Sequence, residues 1–188
     1  MENFIGLKAG ERIARILNKK FTTGIATTEP KGIVTASVAG KVGAVGQTLT
    51  ILYDDLIDLI HSVDEGYRRA GARWMMHDQS LKAIRKMKDS QGHPLWQPDI
   101  RVGEPDTILG FGYVINNDMA EMAANAKSLL FGQFGKYIIR DVMGLTMLRL
   151  VELYALTGQV GFLGFARYDG NLLDAGTNPV KYYANSAT

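Results

Sequence analysis

The amino-acid sequence predicts an α+β fold rather than a strict βαβ repeat. Two observations carry that expectation. Apolar residues recur at helical spacing through much of the first half, and apolar, partly alternating runs of strand character take over from Thr107 onward. A third, the 21 glycines of the 188 residues, adds bent strands and turns, because they are spread along the chain instead of clustering in a repeat.

Leu7 to Phe21 reads as a helix. Ile13, Ile16, Leu17 and Phe21 fall near helical spacing, Arg12, Arg15, Lys19 and Lys20 fill other faces, and Gly24 is a plausible stop. Thr22 to Gln47 is rich in glycine, threonine and alanine, with a Pro30-Lys31-Gly32 turn signal. It reads as a long loop with short strand pieces around Ile33 to Val38. Ile51 to Ala70 carries the strongest helical stripe: Leu52, Leu56, Leu59, Ile60, Val63 and Tyr67. Thr50 serves as its N-cap, Asp54 and Asp55 sit at its positive end, and Gly71 stops it.

Ala72 to Met76 reads as a short strand. Asp78 then caps a helix over Gln79 to Lys88, with Leu81, Ile84 and Met87 inward, and Asp89 to Gln97 is a loop. Strands are expected at Thr107 to Ile115, Ser128 to Phe131, Tyr137 to Arg140 and Leu145 to Leu156. Gly158 to Arg167 is a long bent strand, Asp169-Gly170 a turn, and Leu172 to Thr188 a tail with weak structural signal.

Composition narrows the function classes. A formal net charge of +2 gives no case for a dedicated nucleic-acid binder. With no cysteine, disulfides and thiolate metal sites are excluded. No apolar run reaches the roughly 18 to 20 residues of a membrane-spanning helix, and Met1 to Gly24 lacks the apolar segment of a signal peptide. The chain is therefore expected to be soluble, with no membrane partner.

Chemistry-bearing patterns are sparse. On a continuous helix, Asp54, Asp58, His61 and Glu65 would share one face, as a divalent-metal or acid–base cluster requires. An ordinary solvated face opposite the apolar stripe explains them as well, and no metal-ligand motif accompanies them. His77 and His93 stand beside turns without a nucleophile elbow. Gly110-Phe111-Gly112 and Gly161-Phe162-Leu163-Gly164 match no phosphate-binding loop and suit bent strands. Arg68, Arg69, Arg73, Lys82, Arg85, Lys86 and Lys88 form a basic stretch around Trp74, which suits solvent or a subunit contact better than phosphates. These patterns assign no catalytic, cofactor-binding or metal-ligating residue, and no cofactor.

Several segments carry a resemblance. Tyr67-Arg68-Arg69-Ala70-Gly71-Ala72-Arg73-Trp74-Met75-Met76-His77-Asp78-Gln79-Ser80-Leu81 continues to Gly92. Pro94-Leu95-Trp96-Gln97-Pro98 and Leu109-Gly110-Phe111-Gly112-Tyr113-Val114 follow. Phe131-Gly132-Gln133-Phe134 precedes Tyr137-Ile138-Ile139, and Arg167-Tyr168-Asp169-Gly170 comes last. In this order and spacing, over Gly6 to Gly170, they resemble the major capsid proteins of tailed bacteriophages. Gln133 replaces the aspartate usual in the family's Phe-Gly-Asp-Phe strand pair.

The resemblance implies a Hong Kong 97-type capsid fold, comprising an axial domain and part of a peripheral domain. Residues 1–24 would be the end of the spine helix, residues 25–143 mainly the axial domain, and residues 144–188 the return strands of the peripheral domain and a C-terminal tail. The family's N-terminal arm, extended loop and first part of the spine helix would lie upstream, so Met1 reads as an artificial or internal start. The implied role is a structural, non-enzymatic shell protein forming pentamers and hexamers of an icosahedral head. Its partners would be copies of itself, with scaffolding, portal and maturation protease in the parent system and packaged DNA held only non-specifically. Its place would be the virion, assembled in a bacterial host cytoplasm. A gene-transfer particle or an encapsulin-like compartment is the related alternative. Some family members cross-link lysine to asparagine, but no motif carries that role onto Asn171, Asn178 or Asn185.

Overall fold

The computed structural model describes residues 2–88, 91–93, 95 and 107–188. Helix α1 (Glu2–Thr23) leads into a short helix α2 (Ile33–Ala36) and strand β1 (Val38–Val42). Helices α3 (Tyr53–Ser62) and α4 (Glu65–Arg69), strand β2 (Arg73–Met76) and helix α5 (Asp78–Arg85) follow. The remaining strands are β3 (Thr107–Ile108), β4 (Phe111–Ile115), β5 (Lys127–Gly132), β6 (Tyr137–Leu150), β7 (Gly161–Leu172) and β8 (Val180–Ala184).

Among the described residues, six strands form one sheet in the order β1-β8-β5-β2-β4-β3, while β6 and β7 pair only with each other as a long antiparallel hairpin. Strand alternation sorts the core onto the two faces of the large sheet. Trp74 and Met76 of β2, Leu129 and Phe131 of β5 and Tyr183 of β8 meet Leu56, Leu59 and Ile60 of α3 and Leu81 and Ile84 of α5. Leu130 and Val180 face the other way, onto Ile33 of α2 and Met119. Trp74 is fully buried; its indole Nε1 donates to the Ile108 carbonyl at 3.0 Å, and its ring lies 4.6 Å from Phe131, centroid to centroid.

Several expectations from the sequence need correction. Ile33–Ala36 is helical, and the strand begins only at Val38. The helix expected over Ile51 to Ala70 breaks at Val63-Asp64. The Asp64 carboxylate accepts from the Gly66 N–H at 2.8 Å and starts α4 as a new N-cap. Thr50 does not cap α3: Leu52 is the N-cap residue, and the Asp55 carboxylate accepts its N–H at 3.1 Å. The cap of α5 is His77, whose Nδ1 accepts from the Gln79 N–H at 3.1 Å, so Asp78 is its first helical residue.

Thr107 to Ile115 folds back on itself as β3 and β4. The two turn residues, Leu109 and Gly110, lie at φ 53° and 81°, the left-handed pair that a tight hairpin demands. Tyr137 to Arg140 and Leu145 onward join into one strand, β6, which ends at Leu150, with register shifts between Asp141 and Thr146. Asp169-Gly170 is no turn; both residues lie within β7. The supposedly featureless tail contains β8, which sits inside the large sheet, parallel to β1 and antiparallel to β5. Most of the loop expected at Asp89 to Gln97 lies outside the described residues.

The base of the β6–β7 hairpin is fastened to the end of α1 and to the loop that follows it. Tyr137 Oη donates to the Lys31 carbonyl at 2.8 Å, and the Lys31 N–H donates to the Gly170 carbonyl at 3.0 Å. Phe21 meets Tyr137 edge to face at 6.3 Å. A Cβ at position 170 would fall 2.5 Å from Tyr137 Oη and 3.0 Å from Phe21, so glycine is needed there for close approach, not for turning. Asn116 Nδ2 donates to Thr22 Oγ1 at 2.8 Å and ties α1 to the end of β4.

Candidate assembly surfaces

The residues that sequence reasoning singled out for chemistry do not converge. Asp58 is engaged by Lys41, whose ammonium also lies 3.7 Å from the buried carboxylate of Asp55. His61 stands 3.5 Å from an Arg68 guanidinium nitrogen, and Glu65, now on α4, pairs with Arg69 at 2.5 Å. Among the described residues, no three histidine, aspartate or glutamate side chains are placed to hold a metal ion. His77 is used as a helix cap. The basic stretch is likewise dispersed, with Arg69 held by Glu65 and Arg85 donating to Tyr113 Oη at 2.9 Å.

Where protonation equilibria are displaced, the cause is structural. Burial, reinforced by Asp169 nearby, pushes the Tyr137 hydroxyl up to about 12. Burial, with Asp55 adding to it, does the same for Tyr183, also to about 12. Burial lowers Lys127, whose ammonium sits 4.2 Å over the Tyr182 ring and donates to the Val34 carbonyl. The hydrogen bond from Lys20 holds Glu29 below the usual carboxylate range, and the bond to Asp58 raises Lys41. Each of these groups braces a junction between elements.

The unusual feature is the apolar surface left in solvent. Strands β6 and β7 are 14 and 12 residues long, so the hairpin spans about 45 Å at the strand rise of roughly 3.3 Å per residue. An isolated two-stranded ribbon is marginal in water even with one apolar face. This one carries exposed apolar side chains on both: Ile138 and Ile139 are neighbours in sequence, so they point to opposite faces, and Phe162 and Leu163 repeat the pattern. Beyond the strands, Leu153 is 63% exposed and Leu156 fully exposed at the hairpin tip. Scattered surface leucines are ordinary; a contiguous two-sided apolar limb marks a site of association.

The C-terminal residues form a second feature that sequence reasoning missed. The Asn185 and Ser186 N–H groups donate to the Ala126 and Gln47 carbonyls at 2.9 and 3.1 Å, and the Gly46 N–H reaches the Thr188 carbonyl at 2.6 Å. Asn185 is buried and extends its amide toward the Gln47 and Thr50 carbonyls. The β-forming run Val180-Lys181-Tyr182-Tyr183 was the available signal.

A sheet-and-helix body with a long, unsupported, two-sided apolar hairpin defines a subunit built for contact with other chains, and its topology is that of the Hong Kong 97-type capsid fold. The chain belongs to the phage capsid family, whose profile matches residues 1–184. It is similar to the capsid chain of a native GTA particle computed with C5 symmetry, with 27% identity and a TM-score of 0.86, covering 100% of this chain and 66% of that one. The capsid chain of the empty GTA particle gives 26% identity and a TM-score of 0.84, covering 100% and 67%. A chain from Mycobacterium phage Cain shares the fold at 17% identity and a TM-score of 0.69, covering 100% and 66%. The chain thus spans about two thirds of the length of these solved chains. No curated protein matches it.

Proposed function

We propose that this chain is part of a major capsid protein that tiles the shell of a phage head or a gene-transfer particle, forming pentameric and hexameric capsomers around DNA. The observation that carries this reading is the β6–β7 hairpin, whose two apolar faces require neighbours. Ring-forming contacts of this kind depend on buried area and complementary shape, not on a tuned catalytic group. The role is therefore structural, and what supports this is that each displaced pKa above belongs to a fold-bracing contact. The likeness to GTA capsid chains, at 26 and 27% identity, favours the gene-transfer variant of this reading.

In this reading α1 is the end of the spine helix. The six-stranded sheet with α3 and α5 is the axial unit, and the β6–β7 hairpin is the peripheral limb. The division expected at residue 144 then moves to the start of β6, and β8 returns to the axial unit. Copies of the same chain are the principal partners, with scaffold, portal and maturation protease joining during assembly in the host cytoplasm.

The test is expression of the whole gene product and inspection by electron microscopy. Closed particles are expected. A product that stays strictly monomeric under assembly conditions overturns the proposal. The 188 residues by themselves are expected to give no regular heads.

A further inference from the structure

The exposed face of α1 carries a stripe of one charge sign. Lys8, Arg12, Arg15 and Lys19 follow one another at spacings of four, three and four, which places them in a single row along the helix. All four are exposed, while Ile13, Leu17 and Phe21, partly buried, occupy the opposite side of the helix. Lys8 is paired with Glu11 at 2.9 Å, but Glu11 lies beside the row and not in it. Among the described residues, no carboxylate lies within ion-pair distance of Arg12, Arg15 or Lys19.

The eleven helical steps from Lys8 to Lys19 make the row about 17 Å long. Duplex DNA presents a negative charge about every 1.7 Å of its axis, so the row runs past roughly ten phosphate charges. The centre of a protein–protein interface is depleted in lysine and built around apolar anchors. The two middle members are arginines, which protein interfaces also favour, and Leu7 and Ile16 are exposed beside the row; what fits a phosphate backbone is four like charges in line with no carboxylate among them. A net charge of only +2 argues against tight binding by one chain. It does not oppose a weak contact repeated over many copies, since multivalency multiplies weak contacts.

We infer that the Lys8–Arg12–Arg15–Lys19 row of α1 is a sequence-independent contact for the phosphate backbone of double-stranded nucleic acid. The inference rests on the shell reading for its cargo, but its binding test does not. The 188-residue protein is titrated against a short, fluorescently labelled DNA duplex of random sequence, with anisotropy read from low to physiological salt. Expected is weak binding whose logarithm falls with log salt at a slope of about −3, as three to four phosphate contacts require.

The triple variant R12Q/R15Q/K19Q, with its helix content checked by circular dichroism, is expected to lose at least about tenfold in affinity at low salt and most of that slope. The single variants R12Q and R15Q should each lower the slope by about 1. A control pair, Lys82 of α5 and Lys86 at its C-cap, changed as K82Q/K86Q, should leave binding unchanged. Absence of binding by the native chain overturns the inference, as does a triple variant that binds like the native chain, or an equal loss in the control. A triple variant that changes the chain's sedimentation without DNA shows the row facing another copy, and also overturns it. Particles formed by a chain with no row-dependent DNA binding sink this inference alone; row-dependent binding by a gene product that never forms particles sinks only the shell reading.

Discussion

Trp74 shows how much one residue can hold. Its ring fills the centre of the sheet against Phe131, and its indole N–H satisfies a buried carbonyl. Trp74→Ala is expected to cost about 3–5 kcal/mol, as large-to-small core changes do, read as a lower urea midpoint. The two perturbed tyrosines make a pH prediction. Folding raises both to about 12, so the neutral hydroxyl is the form the fold prefers. That contribution is complete below the unfolded pKa near 10 and is lost as pH climbs from there through the folded value. The thermal midpoints of Tyr137→Phe and Tyr183→Phe should therefore fall less steeply than that of the native chain between about pH 10 and 12. An identical slope in all three proteins contradicts the assignment.

At the level of elements, the sequence was legible where one face of one element carried the signal. Leu81 and Ile84 placed α5, which buries a single side, and the bulky run Trp74-Met75-Met76 placed β2. The α3–α4 break was hidden because Leu59, Ile60, Val63 and Tyr67 keep helical spacing straight across it, while the Asp64 cap is a local hydrogen bond that periodicity does not register. Leu109 concealed the β3–β4 turn because leucine rarely adopts a left-handed conformation. The β8 strand was missed for the opposite reason: both its faces are covered, so its five residues show no clean alternation. Asp55→Ala removes the N-terminal bond of α3 and is expected to cost about 0.5–2 kcal/mol in denaturant unfolding. Gly132→Ala should be worse than an ordinary strand substitution. At φ 149° its Cβ would lie 2.1 Å from the Pro179 carbonyl oxygen, and β5 and β8 must part to admit it. Loss of soluble protein on expression, or a clear drop in melting temperature, is the expected result.

Across the whole molecule, the apolar limb separates stability from assembly. The candidate site is a surface, and a surface leaves little trace in sequence. Ile138, Phe162 and Leu163 look like core residues until the folded neighbourhood shows them exposed, with none of the described residues covering them. Serine in place of Leu153 and Leu156 at the limb's tip should leave the unfolding midpoint of the chain within about 0.5 kcal/mol, because little is buried there. The same pair of changes in the whole gene product should sharply reduce the particles seen by electron microscopy. Equal particle yield would remove the tip from the assembly contacts.

The position of β8 also governs timing. Residues 180–184 come last in sequence among the described strands, yet they fill the slot between β1 and β5. Until they arrive, two parts of the large sheet have no common seam, and that closure joins residues far apart in sequence, a slow kind of contact to form. A nascent chain halted before Val180 should be readily digested by protease, whereas one in which Val180–Ala184 has emerged from the ribosome should resist. Translation itself thus delays the moment at which a subunit is competent to meet its neighbours.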